Sequence, residues 1–173
     1  KDPVMPINAD YLLMECTYGD TVHPPMEEAA KELEDVVLRT IKRGGKVIIP
    51  AFAVGRTQNL SYFLGDAIDK GEIPQLPVIV DSPLAVNASD IYRRHTEVFD
   101  EETAELLRLH RTPYLDFDNV IYTHSVDESK AINSYNDPAI IISASGMAEN
   151  GRILHHLRNN IEDGRNTIAI ISY

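Results

Sequence analysis

The chain has 173 residues, 43% of them hydrophobic, enough for one domain with a sizeable core and no need of staples. A formal net charge of -11 excludes a broad basic surface that would hold nucleic acid by neutralising phosphates, so any phosphate contact has to be local. One cysteine, Cys16, excludes an internal disulfide framework and a multi-cysteine metal site and agrees with a reducing, cytoplasmic setting; no apolar run approaches the roughly 20 residues that span a bilayer.

The first apolar run, Tyr11-Leu12-Leu13-Met14, predicts a strand that delivers Glu15 to its C-terminal end and breaks at Gly19, with Thr17, Tyr18 and His23 close by. A helix is expected from Met26, Ala29, Ala30, Leu33, Val36, Val37 and Ile41, opened by Pro24-Pro25 and stopped at Gly44-Gly45. Further strands follow at Lys46 to Pro50, Pro77 to Asp81, Asn119 to Tyr122, Ala139 to Ser143 and Thr167 to Ile171. Their hydrophobicity is continuous rather than alternating, which means burial on both faces. Between them lie a helix with Leu60, Phe63, Leu64, Ala67 and Ile68 inward, a short helix opened by a Ser125/Glu128 capping box, and a last helix with Ile153, Leu154, Leu157 and Ile161. The stretch from Leu84 to His110 reads as two consecutive helices, a possible helical lobe over residues 84–115. The expectation is a single α/β domain over residues 1–173, three layers deep, with a largely parallel sheet of about six strands and helices on both faces. It also reads as a piece excised from a longer protein.

Strand-end turns of a parallel sheet share one edge, where such folds hold ligands. Four turns qualify: Glu15 to Gly19, Pro50 to Arg56, Asp81 to Ala85, and Ser143 to Met147. Glu15 is the candidate for chemistry, with a turn or capping carboxylate as the plainer alternative. Arg56 starts a helix against the dipole preference and reads either as a partner for a phosphate or carboxylate or as a solvated charge. Ser82, Ser143 and Ser145 line the edge or simply cap helices, and no nucleophile-elbow pattern surrounds them. Glycine at Gly146 or Gly151 lets backbone approach a ligand closely. Phe52 and Tyr18 are candidates to stack on a base. His95, His110, His155 and His156 are expected at the surface or in turns, whereas His23 and His124 keep a place near the crevice; no metal-ligand spacing joins them.

Four segments in order, Glu15-Cys16-Thr17-Tyr18-Gly19-Asp20 with His23, Gly44 to Gln58, Asp81-Ser82-Pro83-Leu84-Ala85 and Ser143-Ala144-Ser145-Gly146-Met147, resemble the β-CASP domain of metallo-β-lactamase superfamily nucleases. That family includes RNase J and the pre-mRNA 3′-end processing endonuclease. The resemblance implies a cap on a metallo-β-lactamase core of the same chain, with two zinc ions in the core, none held by this stretch, and single-stranded RNA in the cleft between. Glu15 would match an acid that poises a catalytic histidine. Thr17, Tyr18, Gly19, His23, Phe52, Arg56, Ser82, Ser143, Ser145, Gly146 and Met147 would face substrate. The family usually carries serine at the position of Cys16. A different class also fits the residues: a non-catalytic α/β module for a nucleotide or protein, although no G-x-G-x-x-G follows the first strand.

Overall fold

The structure, a computed structural model, describes residues 8–99, 101, 103–105 and 115–171. Among these, five strands form one parallel sheet: β1 (Val47–Pro50), β2 (Val78–Asp81), β3 (Val120–Tyr122), β4 (Ile140–Ser143) and β5 (Thr167–Ile168), in the order β3-β2-β4-β1-β5. The central strand β4 is in register with both neighbours, Ser143 standing beside Pro50 on one side and Asp81 on the other. The helices are α1 (Met26–Lys42), α2 (Arg56–Asp69), α3 (Pro83–Arg94), α4 (Val126–Ala131) and α5 (Ile153–Asn160).

Alternate strand residues point to opposite faces, and both faces are covered. Val47, Ile49, Val78, Val80, Ile140 and Ile142 pack with Val37 of α1, Leu60 and Leu64 of α2 and Ala85 of α3. Ile48, Ile79 and Ile141 pack on the other side with Ile132, Ile153 and Leu157 around α4 and α5. The unbroken isoleucine and valine runs of the sequence are therefore explained: each strand buries two faces at once. Going from β1 to β3 the chain crosses on the α2 and α3 side, and going from β3 to β5 on the α4 and α5 side. Strand β4 thus sits between neighbours whose following helices lie on the opposite face from its own, the arrangement that opens a crevice at the strand ends.

The expected α/β fold with a parallel sheet is present, and its five strands among the described residues come close to the expected six; the strand that does not form is the first. Residues 11–14 form no strand; Tyr11 is 97% exposed and Leu13 100%. A strand needs a neighbour for its backbone groups as well as apolar side chains, and the sheet's edges here are β3 and β5. The last predicted strand is shorter than expected, although Ala169 still donates its N–H to Ile48 O at 2.9 Å beyond β5. In the region expected as a lobe, α3 packs Ala85 and Ala88 into the domain, a 3-10 turn covers Thr96–Val98, and helical residues follow at 101 and 103–105; residues 106–114 lie outside the described residues. The capping box of α4 is present, Glu128 N–H donating to Ser125 Oγ at 3.1 Å and Ser125 N–H to Glu128 Oε2 at 3.2 Å. No helix among the described residues is long and apolar enough to cross a membrane.

Truncating Ile141, 1% exposed at the centre of the sheet, to alanine is expected to lower unfolding free energy by about 2–5 kcal/mol in urea titrations. Leu13→Ala, at a fully exposed side chain, is expected to leave it unchanged within about 0.5 kcal/mol.

Candidate substrate-binding edge

Pro50, Ser143 and Asp81 end their strands in one row, with Tyr122 of β3 beside Val80 one residue back, and the loops that follow build the edge. The loop after β1 buries Ala51 and Ala53 and turns Phe52 and Val54 outward, Phe52 being 46% exposed. It is held rigid from α2. Thr57 donates its hydroxyl to Phe52 O at 2.8 Å, and buried Gln58 donates to Ala53 O at 3.1 Å and Ser89 Oγ at 3.0 Å while accepting from Gly55 N–H at 2.7 Å. Gly55 has φ 81°, a conformation glycine adopts without strain. Arg56, the next residue, is exposed and makes no ion pair among the described residues.

The loop after β4 folds against this one. A side chain at Gly146 would place its Cβ 2.9 Å from Phe52 Cδ2, so only glycine lets the two loops meet. Met147 is 52% exposed beside them. The Ser145 hydroxyl is buried without a hydrogen-bond partner among the described residues. Two other predicted serines have defined duties: Ser82 caps α3, accepting from Ala85 N–H at 3.3 Å, and Ser143 donates to Asp81 O at 2.8 Å, tying β4 to β2.

Beneath these loops lies a polar cluster that sequence reasoning missed. Asp81 is 0% exposed, and its carboxylate accepts four hydrogen bonds: from Arg152 Nη1 at 2.7 Å, Ser129 Oγ at 2.7 Å, His156 Nε2 at 2.6 Å and the hydroxyl of Thr123. His156, expected at the surface, is 1% exposed, which corrects that expectation. Its helix α5 is amphipathic, and the ring lies on the inner face because Asp81 supplies the partner a buried imidazole requires. The available signal was the spacing Arg152 to His156, one helical turn, opposite a strand-end aspartate. Burial pushes the Asp81 carboxyl up, but the bonds from His156, Ser129, Thr123 and Arg152 together outweigh it and hold the carboxyl well below the usual carboxylate range.

Glu15, Thr17, Tyr18, Gly19 and His23 are on an exposed segment before α1, not at the end of a sheet strand. Within it, Thr17 N–H donates to Glu15 Oε1 at 2.5 Å, and the Thr17 bonds hold the Glu15 carboxyl below its ordinary value. Tyr18 and His23 meet edge to face with centroids 4.6 Å apart. The segment leads into Met26, which shares an apolar groove of about 340 Å³ with Arg56, Phe63 and Ile170. It therefore joins the domain on the side of the loop edge. His124 is exposed and its N–H donates to Glu128 Oε2 at 2.7 Å. Among the described residues no three His, Cys, Asp or Glu side chains are grouped to hold a metal ion.

The sheet, covered by helices on both faces, defines a three-layer α/β domain whose strand-end loops form one edge. Residues 57–173 match the family described as the Beta-Casp domain. The chain belongs to that family. It is 36% identical over 172 residues to Ribonuclease TTHA0252 of Thermus thermophilus, covering 99% of this chain and 39% of that protein. It is also 36% identical over 166 residues to Transcription termination factor FttA of a Lokiarchaeum species (94% of this chain, 26% of that protein). With the RNase J-like protein of Methanocaldococcus jannaschii it shares 28% identity over 166 residues (95% and 37%). The chain thus spans between about a quarter and two fifths of the length of these relatives.

Asp81→Asn is expected to cost about 3 kcal/mol, because it leaves Arg152 without its charged partner in a largely buried site. The acid dependence follows from the sign of the shift. A carboxyl held below its unfolded value of about 3.9 contributes stability that is present above that pH and lost as pH falls below it. Denaturation curves measured downward from about pH 5 should therefore fall more steeply for the natural chain than for Asp81→Asn.

Proposed function

We propose that this chain is one wall of the substrate cleft in a nuclease that hydrolyses RNA phosphodiester bonds, seated against a metallo-β-lactamase-type core. The observation that carries this reading is the edge itself. The loops bearing Phe52, Arg56, Gly146 and Met147 form one edge, and Met26 and Ile171 line the groove that holds Arg56 on the same side. A core seated on that side would face the loops. The names of two relatives, a ribonuclease and an RNase J-like protein, supply the substrate class.

Each exposed group has work that suits its chemistry. Phe52 offers a ring for a base to stack on, and Arg56 a guanidinium for a phosphate. The glycine at 146 lets backbone come close to the strand. Glu15, ionised and exposed, positions the proton donor for the leaving oxygen. The described residues do not fit a zinc site by themselves. The two zinc ions expected of such nucleases would belong to the core. The net charge of -11 fits a wall that guides RNA by shape and a few local cations.

The test uses the complete polypeptide that contains these residues, with cleavage of labelled single-stranded RNA, single-stranded DNA as comparison, and metal content measured together. Glu15→Gln is expected to lower the cleavage rate by about 100-fold or more with the melting temperature unchanged; an unaltered rate would remove Glu15 from the chemistry. Phe52→Ala is expected to weaken RNA binding by about 1–3 kcal/mol in equilibrium titrations. A metal-free complete protein that binds RNA or nucleotides without cleaving them would favour a binding module instead.

A further inference from the structure

The opposite edge of the sheet, where the strands begin, holds a recess of about 120 Å³ with an almost wholly polar lining. Lys46 leads into β1 there, Asn166 leads into β5, and Asn160 ends α5. The walls are fixed by the chain itself. Lys46 N–H donates to Asn166 Oδ1 at 2.8 Å, Asn166 Nδ2 to Asn160 O at 3.0 Å, and Asn159 Nδ2 to Asn133 Oδ1 at 2.9 Å. Arg43 holds the turn before β5 from outside, donating to Arg165 O at 3.3 Å and to Thr167 Oγ1 at 2.8 Å. Packing leaves one side chain in this frame unexplained. Lys46 is only 9% exposed, yet its Nζ makes no hydrogen bond or ion pair among the described residues. Lysine is almost never buried to that degree without a partner. The side-chain atoms that are both enclosed and unpartnered lie elsewhere, at Ser145 and His156, so Nζ keeps accessible surface that a ligand can touch. Burial holds the Lys46 ammonium below the ordinary lysine pKa, with Asp163 working against that and Arg165 with it, so the other charges of the recess are within electrostatic reach. Asp163 does not supply the missing partner, because its carboxylate is taken by Arg165, from Nε at 3.1 Å and Nη2 at 2.7 Å. Donors are left over. Lys46 Nζ, Arg165 Nη1 and the amide nitrogens of Asn133 and Asn136 have no acceptor among the described residues, whereas the unengaged acceptors are the amide oxygens of Asn136 and Asn159.

We propose that this recess binds one tetrahedral oxyanion of the phosphate or sulfate type, with Lys46 as its buried counter-charge and Asn133, Asn136 and Arg165 as further donors. An ammonium taken out of water recovers from an opposite charge what it lost on burial, and hydrogen bonds to such an ion are charge-assisted. Neutral amides add donors without adding charge that the empty recess would have to carry. The space takes a free ion or the terminal phosphate of a small ester, not a polymer. An ion seated there would join the starts of β1 and β5 to the end of α5, as Asp81 joins its elements at the far edge. The recess lies across the sheet from the loops bearing Phe52 and Arg56, so the inference does not rest on the nuclease reading.

The experiment is isothermal titration of the complete polypeptide with sodium sulfate, inorganic phosphate and a nucleoside monophosphate, with Lys46→Met and Asn136→Asp measured alongside. Lys46→Met keeps an apolar stem of similar length and removes the charge. Asn136 is exposed, so Asn136→Asp keeps the fold, checked by its melting temperature, and sets a negative charge on the recess. Saturable oxyanion binding is expected, weakened about tenfold or more in both variants. Equal affinity for the free ions and the monophosphate then marks a free-ion site, and a tighter monophosphate that Asn136→Asp also weakens marks a small ester. Binding of all three that is unchanged in Asn136→Asp belongs to another part of the polypeptide and would overturn the proposal, as would the absence of saturable binding. If Lys46→Met does not fold, Asn136→Asp decides alone.

Discussion

A single carboxylate organises this domain. Asp81 ends β2 at 0% exposure and draws donors from the turn after β3, from α4, from the turn before α5 and from α5 itself, while its backbone carbonyl accepts from Ser143 of β4. An unpaired charge at that depth would be prohibitive, so the segments have to arrive together or not at all. Hydrophobic packing holds the layers in contact but is indifferent to small sliding movements. Directional bonds to one carboxylate fix where the strand-end loops stand.

The second constraint is the strand order. With β4 between β1 and β2 and its connection running to the other face, the chain leaves β1 and β4 towards opposite faces of the sheet. The two loops touch where Gly146 meets Phe52, and Gln58 with Thr57 keeps the Phe52 side from collapsing inward. Exposed apolar groups on such a scaffold, Phe52, Val54 and Met147, are held out against the tendency of apolar surface to be buried. Scaffold rigidity is what makes that display possible.

Much of this was legible in the residues. Unbroken runs such as Val47-Ile48-Ile49 and Ile140-Ile141-Ile142 announce two-sided burial, and the structure distributes them to the two cores residue by residue. The capping box at Ser125 and the glycine stop at Gly44 place helix ends because they act locally. Tyr11 to Met14 looked the same by composition and is not a strand, since pairing depends on a neighbour that composition does not name. His156 was misplaced for a related reason. A histidine beside another histidine on a short helix looks solvated until a partner 75 residues earlier, Asp81, is known to sit opposite it. Long-range polar pairing leaves little trace in one sequence.

The exposed segment and the acidic surface bear on each other. Residues 11–14 carry the continuous apolar character that elsewhere in this chain means burial on two sides, yet here they are largely uncovered by the described residues. Apolar surface of that kind is stable only against another surface, and the segment meets the domain at Met26, within the groove that also holds Arg56 and Ile170. A second body placed there would cover the apolar run and bring Glu15 towards the loops. Its own charge would then decide the affinity for a polyanion, because a domain of net charge -11 cannot.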